Sequence, residues 1–380
     1  MSTRSKILLF SDWYEPGFKA GGPIRSAVNF VQNMKGDFDI YVFTRDRDLH
    51  SDTPFNNIEA DEWITGNGGT KIFYASPVKL NRNTIRALIR ELAPDFVYLN
   101  SMYSVYFTIY PLLFTSKSKG PVVVLSPRGM LKDSALQFKS AKKKIFIQAF
   151  KWMGLHSRIR FHATDTTEEK DIFSHFGRKV AVETIANFPA ILGERPPVMP
   201  KRSGEVKLLF TGRIHPIKNL DYLLEALGQV KGILTLSIVG DEEDQDFATQ
   251  CRALASQLDQ EKKVIFLGQV PNEELPAVIA QHHVFALPTR GENYGHAIFE
   301  ALKGGLPVLI SDQTPWRDLT PAMAGWDIPL ANKKKWSEAI QRTVDLNQDE
   351  YRQWSDGAWQ FVNSYVQKTD LKAAYNKLFS

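Results

Sequence analysis

Short apolar runs alternate with helix-like spacings through the first half of the chain. Few polar residues interrupt the runs, as expected for strands buried on both faces of a parallel sheet. Helical periodicity between them is typical of βαβ units. The predicted strands are 7–10, 40–43, 71–74, 96–99, 122–125 and 160–163, and two of the predicted helices are 25–34 and 84–92.

The same alternation begins again after a proline-dense stretch between residues 187 and 200. That stretch has no apolar period, so we predict an interdomain linker at 191–204. The second half carries predicted strands at 206–210, 234–239, 264–267, 284–287 and 308–310, and predicted helices at 220–227, 244–258, 272–280 and 296–303, with Asn272 as an N-cap. We therefore predict two α/β domains, 1–190 and 205–349, followed by helices at 350–380.

Composition changes this picture little. The chain has 380 residues, 43% hydrophobic and 23% charged, which suits two or three globular domains. The lone cysteine, Cys251, excludes an internal disulfide framework and is interpreted as a buried apolar residue. No signal peptide is recognised, and the most apolar window, 105–114, is too short to span a bilayer, so we expect a cytoplasmic protein. A net charge of +5 does not indicate a nucleic-acid partner.

The segment from 284 to 310 has the pattern strand, polar loop, helix, glycine stop, strand. Asn293 is a candidate N-cap, and the N–H groups of the following turn would form an anion site at the carboxyl end of the first strand. Glu292 lies in the loop and Glu300 about two helical turns further on. The two carboxylates could therefore reach different parts of one ligand.

A second candidate follows the strand at 206–210. There Gly212 is followed by Arg213, and Lys218 stands five residues later at the start of a predicted helix. Arg213 can bind two phosphate oxygens at once through its guanidinium group, and Lys218 can bind phosphate as a point charge. This order of residues is typical of a diphosphate site, although solvated surface charges would give the same pattern.

These two segments resemble the G-R-x4-K and E-x7-E motifs of retaining glycosyltransferases of family 4 (group 1). The resemblance covers most of the chain and is densest from 206 to 319. It implies a GT-B fold, in which two Rossmann-like domains face each other across a cleft. It also implies that the C-terminal helices, 350–380, pack back on the first domain.

The resemblance also implies roles for the residues of both motifs. Arg213 and Lys218 would hold the donor diphosphate in place of a metal ion. Glu292 would contact the transferred sugar and help to stabilise positive charge at its anomeric carbon, whereas Glu300 would bind the ribose hydroxyls. Other residues assigned to substrate binding are Gly212, Val270 in the loop beside the base, and Asn293, Tyr294 and Gly295 through their backbone.

In the first domain, Gly21 and Gly22 follow the first strand and would let the backbone approach phosphate or sugar, although a structural turn is the commoner case. Arg128 stands where many relatives have a histidine that touches the donor sugar. This departure suggests a guanidinium that meets an acidic sugar, a phosphate or a lipid diphosphate. Glu168 and Glu169 are interpreted as structural, at a capped helix start.

We expect no cofactor and no metal requirement, with the nucleotide sugar as co-substrate. Asp46-Arg47-Asp48 has the letters of a metal-binding motif but lies in the first domain, away from the diphosphate motif. The resemblance implies a UDP- or GDP-sugar donor without choosing the base.

The segment 132–152 combines lysines with aromatic and aliphatic residues at helical spacing. Within it, Lys139 to Trp152 could dock on an anionic membrane that carries a lipid-linked acceptor. A solvated basic face over a buried one fits the pattern equally well.

The leading hypothesis is a metal-independent, retaining glycosyltransferase acting on a glycan or lipid-linked acceptor in surface polysaccharide synthesis, such as lipopolysaccharide, O-antigen, capsule or exopolysaccharide. One alternative is a nucleotide-sugar epimerase of the same fold, which the paired motifs disfavour. Another is a non-catalytic donor-binding or scaffold protein, which the intact motif residues disfavour.

Overall fold

The computed structural model describes residues 4–115, 120–132, 140–368 and 370–380. The chain divides into two compact units, which we call the N-terminal unit (Met1–Phe188 with Asp370–Ser380) and the C-terminal unit (Pro189–Thr369). The stretch predicted as a linker is fastened to the C-terminal unit, because Lys201 donates hydrogen bonds from its ammonium group to the carbonyls of Val344 (3.1 Å) and Leu346 (3.0 Å).

The N-terminal unit contains one sheet of parallel strands with a single antiparallel edge pair. Its order is β3-β4-β2-β1-β5-β6-β7-β8, with β3 antiparallel to β4. The strands are β1 (Lys6–Phe10), β2 (Asp39–Arg45), β3 (Trp63–Thr65), β4 (Lys71–Ala75), β5 (Phe96–Leu99), β6 (Val122–Leu125), β7 (Ile159–Ala163) and β8 (Ala181–Thr184). The α-helices that the described residues form before residue 189 are α1 (Gly22–Met34), α2 (Arg82–Leu92), α3 (Tyr110–Phe114), α4 (Ser140–Trp152) and α5 (Thr166–Phe176).

The C-terminal unit contains a sheet of parallel strands in the order β11-β10-β9-β12-β13-β14. The strands are β9 (Glu205–Thr211), β10 (Ile233–Val239), β11 (Lys262–Gly268), β12 (Val284–Leu287), β13 (Val308–Ser311) and β14 (Gly325–Ile328). The helices are α6 (Leu220–Leu227), α7 (Gln245–Ser256), α8 (Leu275–Ile279), α9 (His296–Lys303), α10 (Lys333–Asp345) and α11 (Gln348–Lys368).

In both sheets the strand order reverses beside the first strand of the unit. In the N-terminal unit the reversal lies between β1 and β5, and in the C-terminal unit between β9 and β12. Loops leave such a point in opposite directions and open a crevice at the carboxyl ends of the strands, where ligands of α/β proteins bind. Each sheet therefore has one place where a site is expected.

The C-terminal helices differ from the prediction for 350–380. Helix α11 belongs to the C-terminal unit, where Trp354 stacks on Trp326 with ring centroids 4.1 Å apart. Only α12 (Leu371–Leu378) and the residues beside it join the N-terminal unit, where Phe379 packs in the core. The aromatic residues of α11 therefore pack within the C-terminal unit, and not on the N-terminal unit as predicted.

The strands expected from the apolar runs are all present, with bounds shifted by two residues at most. The sequence did not predict β3, β8 or β14. The helix predicted at 272–280 is shorter, because residues 272–274 form a turn and α8 begins at Leu275 with Pro276 in its first turn. The prediction that Asn272 is its N-cap is wrong. Cys251 is fully buried, and burial raises the pKa of its thiol to about 12, as suits a packing residue.

None of the helices in the described ranges combines the length and the apolar character that crossing a bilayer requires.

Candidate active site

The loops after β9 and β12 meet at the point where the strand order of the C-terminal unit reverses. The first loop carries Arg213 and Lys218, and the second carries Glu292. The Lys218 ammonium group donates a hydrogen bond to Glu292 Oε1, and the two side chains are only 16% and 13% exposed. Residues predicted from two separate motifs thus form one ion pair at the expected crevice.

A buried asparagine joins these two loops. Asn219 adopts the left-handed conformation (φ 60°) directly after Lys218, and its side-chain N–H group donates to the carbonyl of Pro288 (3.0 Å). Its side-chain oxygen accepts from Arg290 Nε (3.1 Å), and the Arg290 N–H group donates to the carbonyl of Ile217 (2.7 Å). These bonds fix Lys218 relative to Glu292. Asn219 was not predicted, although asparagine tolerates the left-handed region better than most residues.

Arg213 lies at the solvent side of the same loop. Its guanidinium group pairs with the carboxylate of Glu243 and is about half exposed, so it can exchange this partner for a phosphate. The backbone of Gly212, the residue before Arg213, packs closely against the loop after β10. That loop requires glycine at position 240, because a Cβ on Gly240 would lie 1.9 Å from the carbonyl oxygen of Gly212. Burial lowers the pKa of His215, so this loop gains no further charge from its histidine at neutral pH.

The turn before α9 differs in detail from the prediction. Gly295, not Asn293, is the N-cap of α9, with φ 77°. A Cβ on Gly295 would lie 2.9 Å from Ile298 Cδ1, so its close packing also requires glycine. The Tyr294 ring is buried against Trp316, whose indole N–H group donates to the Tyr294 carbonyl (2.7 Å). Tyr294 can therefore offer a ligand little besides its backbone.

Glu300 faces a pocket on the same unit. The pocket has a volume of about 180 Å³ and is bounded by Glu300, Lys303, the apolar residues Pro276, Ile279 and Ala280, and the segment 193–196. Glu300 Oε2 lies 3.8 Å from Lys303 Nζ. Glu300 is therefore a pocket-lining carboxylate rather than a solvated helix residue.

The other predicted residue of this unit, Val270, follows β11. It packs partly buried against the core, and the carbonyl of Gly268 before it accepts from the Gly240 N–H group (2.8 Å). The loop of Val270 is thus connected through Gly240 to the loop of Gly212 and Arg213.

In the N-terminal unit, Gly21 is the N-cap of α1 with φ 64°, and Gly22 is the first helical residue. The Gly21 carbonyl accepts from the N–H groups of Ile24 (3.1 Å) and Arg25 (3.2 Å). A Cβ on Gly21 would meet no atom within 4 Å, so glycine is needed here for backbone conformation rather than for close packing.

Arg128 is held by neighbours inside the N-terminal unit. Its Nε donates to Asn100 Oδ1 (2.6 Å), one terminal nitrogen donates to Asn187 Oδ1, and the other donates to the Tyr98 hydroxyl (2.8 Å). The Tyr98 hydroxyl in turn contacts His162 Nδ1 (2.8 Å). Burial, and then the charge of Arg128, lowers the pKa of His162 to about 3. The Arg128 guanidinium group therefore binds Asn100, Asn187 and Tyr98 rather than an acidic ligand.

The acidic residues interpreted as structural have protein partners. Glu168 is fully buried and accepts hydrogen bonds from the Gly129 N–H group (2.5 Å) and from the backbone and hydroxyl of Thr164 (both 2.7 Å). Asp48 accepts from the backbone N–H groups of Phe18, Lys19 and Leu49, and Asp46 pairs with Arg47. These carboxylates organise loops.

A comparison with protein families matches residues 194–360 to the model described as glycosyl transferases group 1. An uncharacterized 41.2 kDa protein in the cps region of Klebsiella pneumoniae is 26% identical over 178 residues, which are 43% of this chain and 46% of that protein. The chain aligns with less than half the length of this and the next most similar curated relatives.

Solved structures match over nearly the whole chain. Sucrose-phosphate synthase from Thermosynechococcus elongatus has a TM-score of 0.71 and 16% identity, covering 99% of this chain and 98% of that one. Anabaena HepE in complex with UDP-glucose has a TM-score of 0.67 and 15% identity, covering 98% and 97%. At these identities the likeness shows a shared fold.

Proposed function

We propose that this chain is a group 1 glycosyltransferase, which transfers a sugar from a UDP- or GDP-sugar to a glycan or lipid-linked acceptor. In support, residues 194–360 match the model of the group 1 glycosyltransferases, and the chain has a GT-B fold. We include in the proposal that the anomeric configuration is retained, that no metal ion is needed, and that the product is a surface polysaccharide. The observation that carries the proposal is the contact between Lys218 and Glu292, which brings both motifs to one crevice.

The charges of this crevice suit a nucleotide diphosphate sugar. Arg213 and Lys218 can neutralise the leaving diphosphate, and preorganised charges of this kind stabilise the charge that develops as the glycosidic bond breaks. Glu292 forms an ion pair with Lys218, and in this proposal it contacts the sugar next to that diphosphate. Glu300 lies in a pocket with apolar walls, where its carboxylate can accept from ribose hydroxyls.

Two similar proteins support parts of this proposal. HepE was solved with UDP-glucose, which supports a nucleotide sugar as donor. The Klebsiella relative is described as lying in a cps region, which supports a role in capsule-type polysaccharide synthesis.

Thermal unfolding with UDP, GDP and ADP tests the donor site. A nucleotide at about 100 times its dissociation constant stabilises the protein by about 2.7 kcal/mol, so the midpoint should rise clearly for UDP or GDP. The shift should be the same in EDTA and in Mg²⁺ if the cations of the site are Arg213 and Lys218. No shift with either nucleotide would contradict the proposed donor, and a shift abolished by EDTA would contradict metal independence.

We also propose that α4 docks the enzyme on an anionic membrane, at the cytoplasmic face. Trp152 is 89% and Ile145 68% exposed; they lie seven residues apart, about two helical turns, and so on one face. Lys142, Lys144 and Lys151 are exposed beside them, and residues 140–160 include no acidic residue. Exposed aromatic and aliphatic residues flanked by lysines are typical of interfacial helices. Lys139, the first residue of the predicted segment, lies outside the described residues.

Sedimentation with vesicles measures this docking. Replacing Lys142, Lys144 and Lys151 together by glutamine should weaken binding to anionic vesicles roughly a hundredfold, since each basic residue near such a surface contributes about 1 kcal/mol. Trp152→Ser should weaken binding as well, whereas Val78→Ser, which removes another highly exposed apolar residue, should not. Equal binding of the wild-type protein to neutral and anionic vesicles would contradict the proposal.

A further inference from the structure

Polar residues follow adjacent strands at the point where the strand order of the N-terminal unit reverses. Asp12 lies two residues after β1, Ser101 and Ser104 follow β5, and Arg45 is the last residue of β2. The strands β2, β1 and β5 are neighbours in the sheet, and all run parallel. Their carboxyl ends therefore bring these side chains to the crevice that the topology predicts.

Asp12 is half-buried, and its carboxyl group makes no ion pair among the described residues. Ser104 Oγ donates to Asp12 Oδ1 (2.8 Å), and Ser101 provides a second side-chain hydrogen bond. Burial raises the pKa of Asp12, although both hydroxyl groups and the charge of Arg45 act in the opposite direction. Burial of a carboxyl group without an ion pair is unfavourable for the stability of the unit. Its presence at this position therefore indicates a functional role.

Arg45, like Asp12, makes no ion pair among the described residues. Its guanidinium group lies over the Phe107 ring, 5.4 Å from the centroid, and its Nε is buried with no hydrogen-bond partner in the part of the chain that the structure describes. None of the described carboxylates pairs with it within 4 Å, whereas Arg47, two residues later, pairs with Asp46. A buried donor without a hydrogen-bond partner is unfavourable for stability, so its persistence indicates a ligand.

An unusual backbone turn connects these two residues. Residues Val105–Ile109 form a π-helical turn capped by Ser104, whose Oγ accepts from the Phe107 N–H group (3.2 Å). Ser104 thus contacts Asp12 directly, and the turn that it caps carries the ring beneath Arg45. Such turns are rare and frequently occur at functional sites.

We propose that Asp12 and Arg45 bind the acceptor, and that the acceptor is acidic. Asp12 accepts a hydrogen bond from an acceptor hydroxyl, and Arg45 binds a carboxylate or phosphate carried by the same sugar. The inference rests on the proposed glycosyltransferase function. It gives to Arg45 the recognition of an acid that the sequence suggested for Arg128, whose fork is already engaged by Asn100, Asn187 and Tyr98.

Binding of glucose, glucuronate and glucose 6-phosphate tests this site. It is measured by calorimetry in the presence of UDP or GDP, whichever raises the unfolding midpoint. We expect at least one of the two acidic sugars to bind about tenfold more tightly than glucose, the effect of one charge-assisted hydrogen bond. The two acidic probes separate carboxylate from phosphate recognition. Arg45→Gln should remove the preference, and Asp12→Asn should weaken all three sugars; Arg86→Gln, on the exposed face of α2, should change neither.

The affinity for the nucleotide, UDP or GDP, serves as the independent measurement. It should be the same in all variants, because its proposed site lies in the C-terminal unit, and this also shows that each variant is folded. If the nucleotide binds but the wild-type protein does not prefer an acidic sugar, or Arg45→Gln keeps the preference, the acceptor inference is overturned and the donor proposal stands. If neither UDP nor GDP binds, the proposed function itself fails.

Discussion

Replacing Lys218 by alanine is expected to reduce sugar transfer by about 10²–10³-fold, the usual effect of removing one preorganised group that stabilises developing charge. The substitution removes a cation held against Glu292 by the contacts of Asn219, and in the proposed donor site it leaves only Arg213 to bind the diphosphate. The measurement is the steady-state rate of release of UDP or GDP, together with the affinity for that nucleotide.

Two further variants make this result specific. Lys231→Ala, at an exposed lysine of the same unit, should leave rate and affinity unchanged. Glu292→Gln should lower the rate while the affinity for the nucleotide is kept or increased, because Lys218 loses its competing carboxylate. Unchanged nucleotide affinity in Lys218→Ala would show that the diphosphate binds elsewhere.

Replacing Phe379 by alanine is expected to destabilise the N-terminal unit by about 3–5 kcal/mol, the range for removing a buried phenylalanine. The Phe379 ring packs against Phe30, Phe38, Phe96 and Tyr98, with centroids 5.4 to 5.8 Å away. Urea unfolding should show the loss in the transition of that unit, if the two units unfold separately.

The matched control is Asn376→Ala, on the exposed side of the same helix, which should change the free energy of unfolding by less than about 0.5 kcal/mol. A loss for Phe379→Ala no larger than that of the control would mean that the packing of α12 contributes little to the core. A loss confined to the transition of the C-terminal unit would contradict the division of the chain.

Local pattern sufficed to predict most strands, because strands buried on both faces are nearly continuous apolar runs. It failed for β14, which begins at Gly325 and whose Trp326 and Ile328 flank the polar Asp327. It predicted the bounds of α9 but placed its N-cap at Asn293, because the left-handed backbone of Gly295 (φ 77°), which makes that residue the cap, is not evident from the residue types.

The motif residues of the C-terminal unit were recognisable because each stands at a fixed position after a strand. Asp12 and Arg45 follow strands as well, but one aspartate and one arginine at strand ends resemble many solvated pairs. Their importance depends on burial, on the absence of an ion pair for Arg45 in the described ranges and on the π-helical turn. None of these can be read from residue types alone.

The position of α12 has a consequence for the order in which the protein forms on the ribosome. The ring of Phe379 belongs to the core of the N-terminal unit, yet it is synthesised after the whole of the C-terminal unit. Domains generally fold as units while the chain is made, with the N-terminal one first. Here the C-terminal unit, which is continuous in sequence, can complete its core earlier, and the N-terminal unit must wait until residues 370–380 have been synthesised.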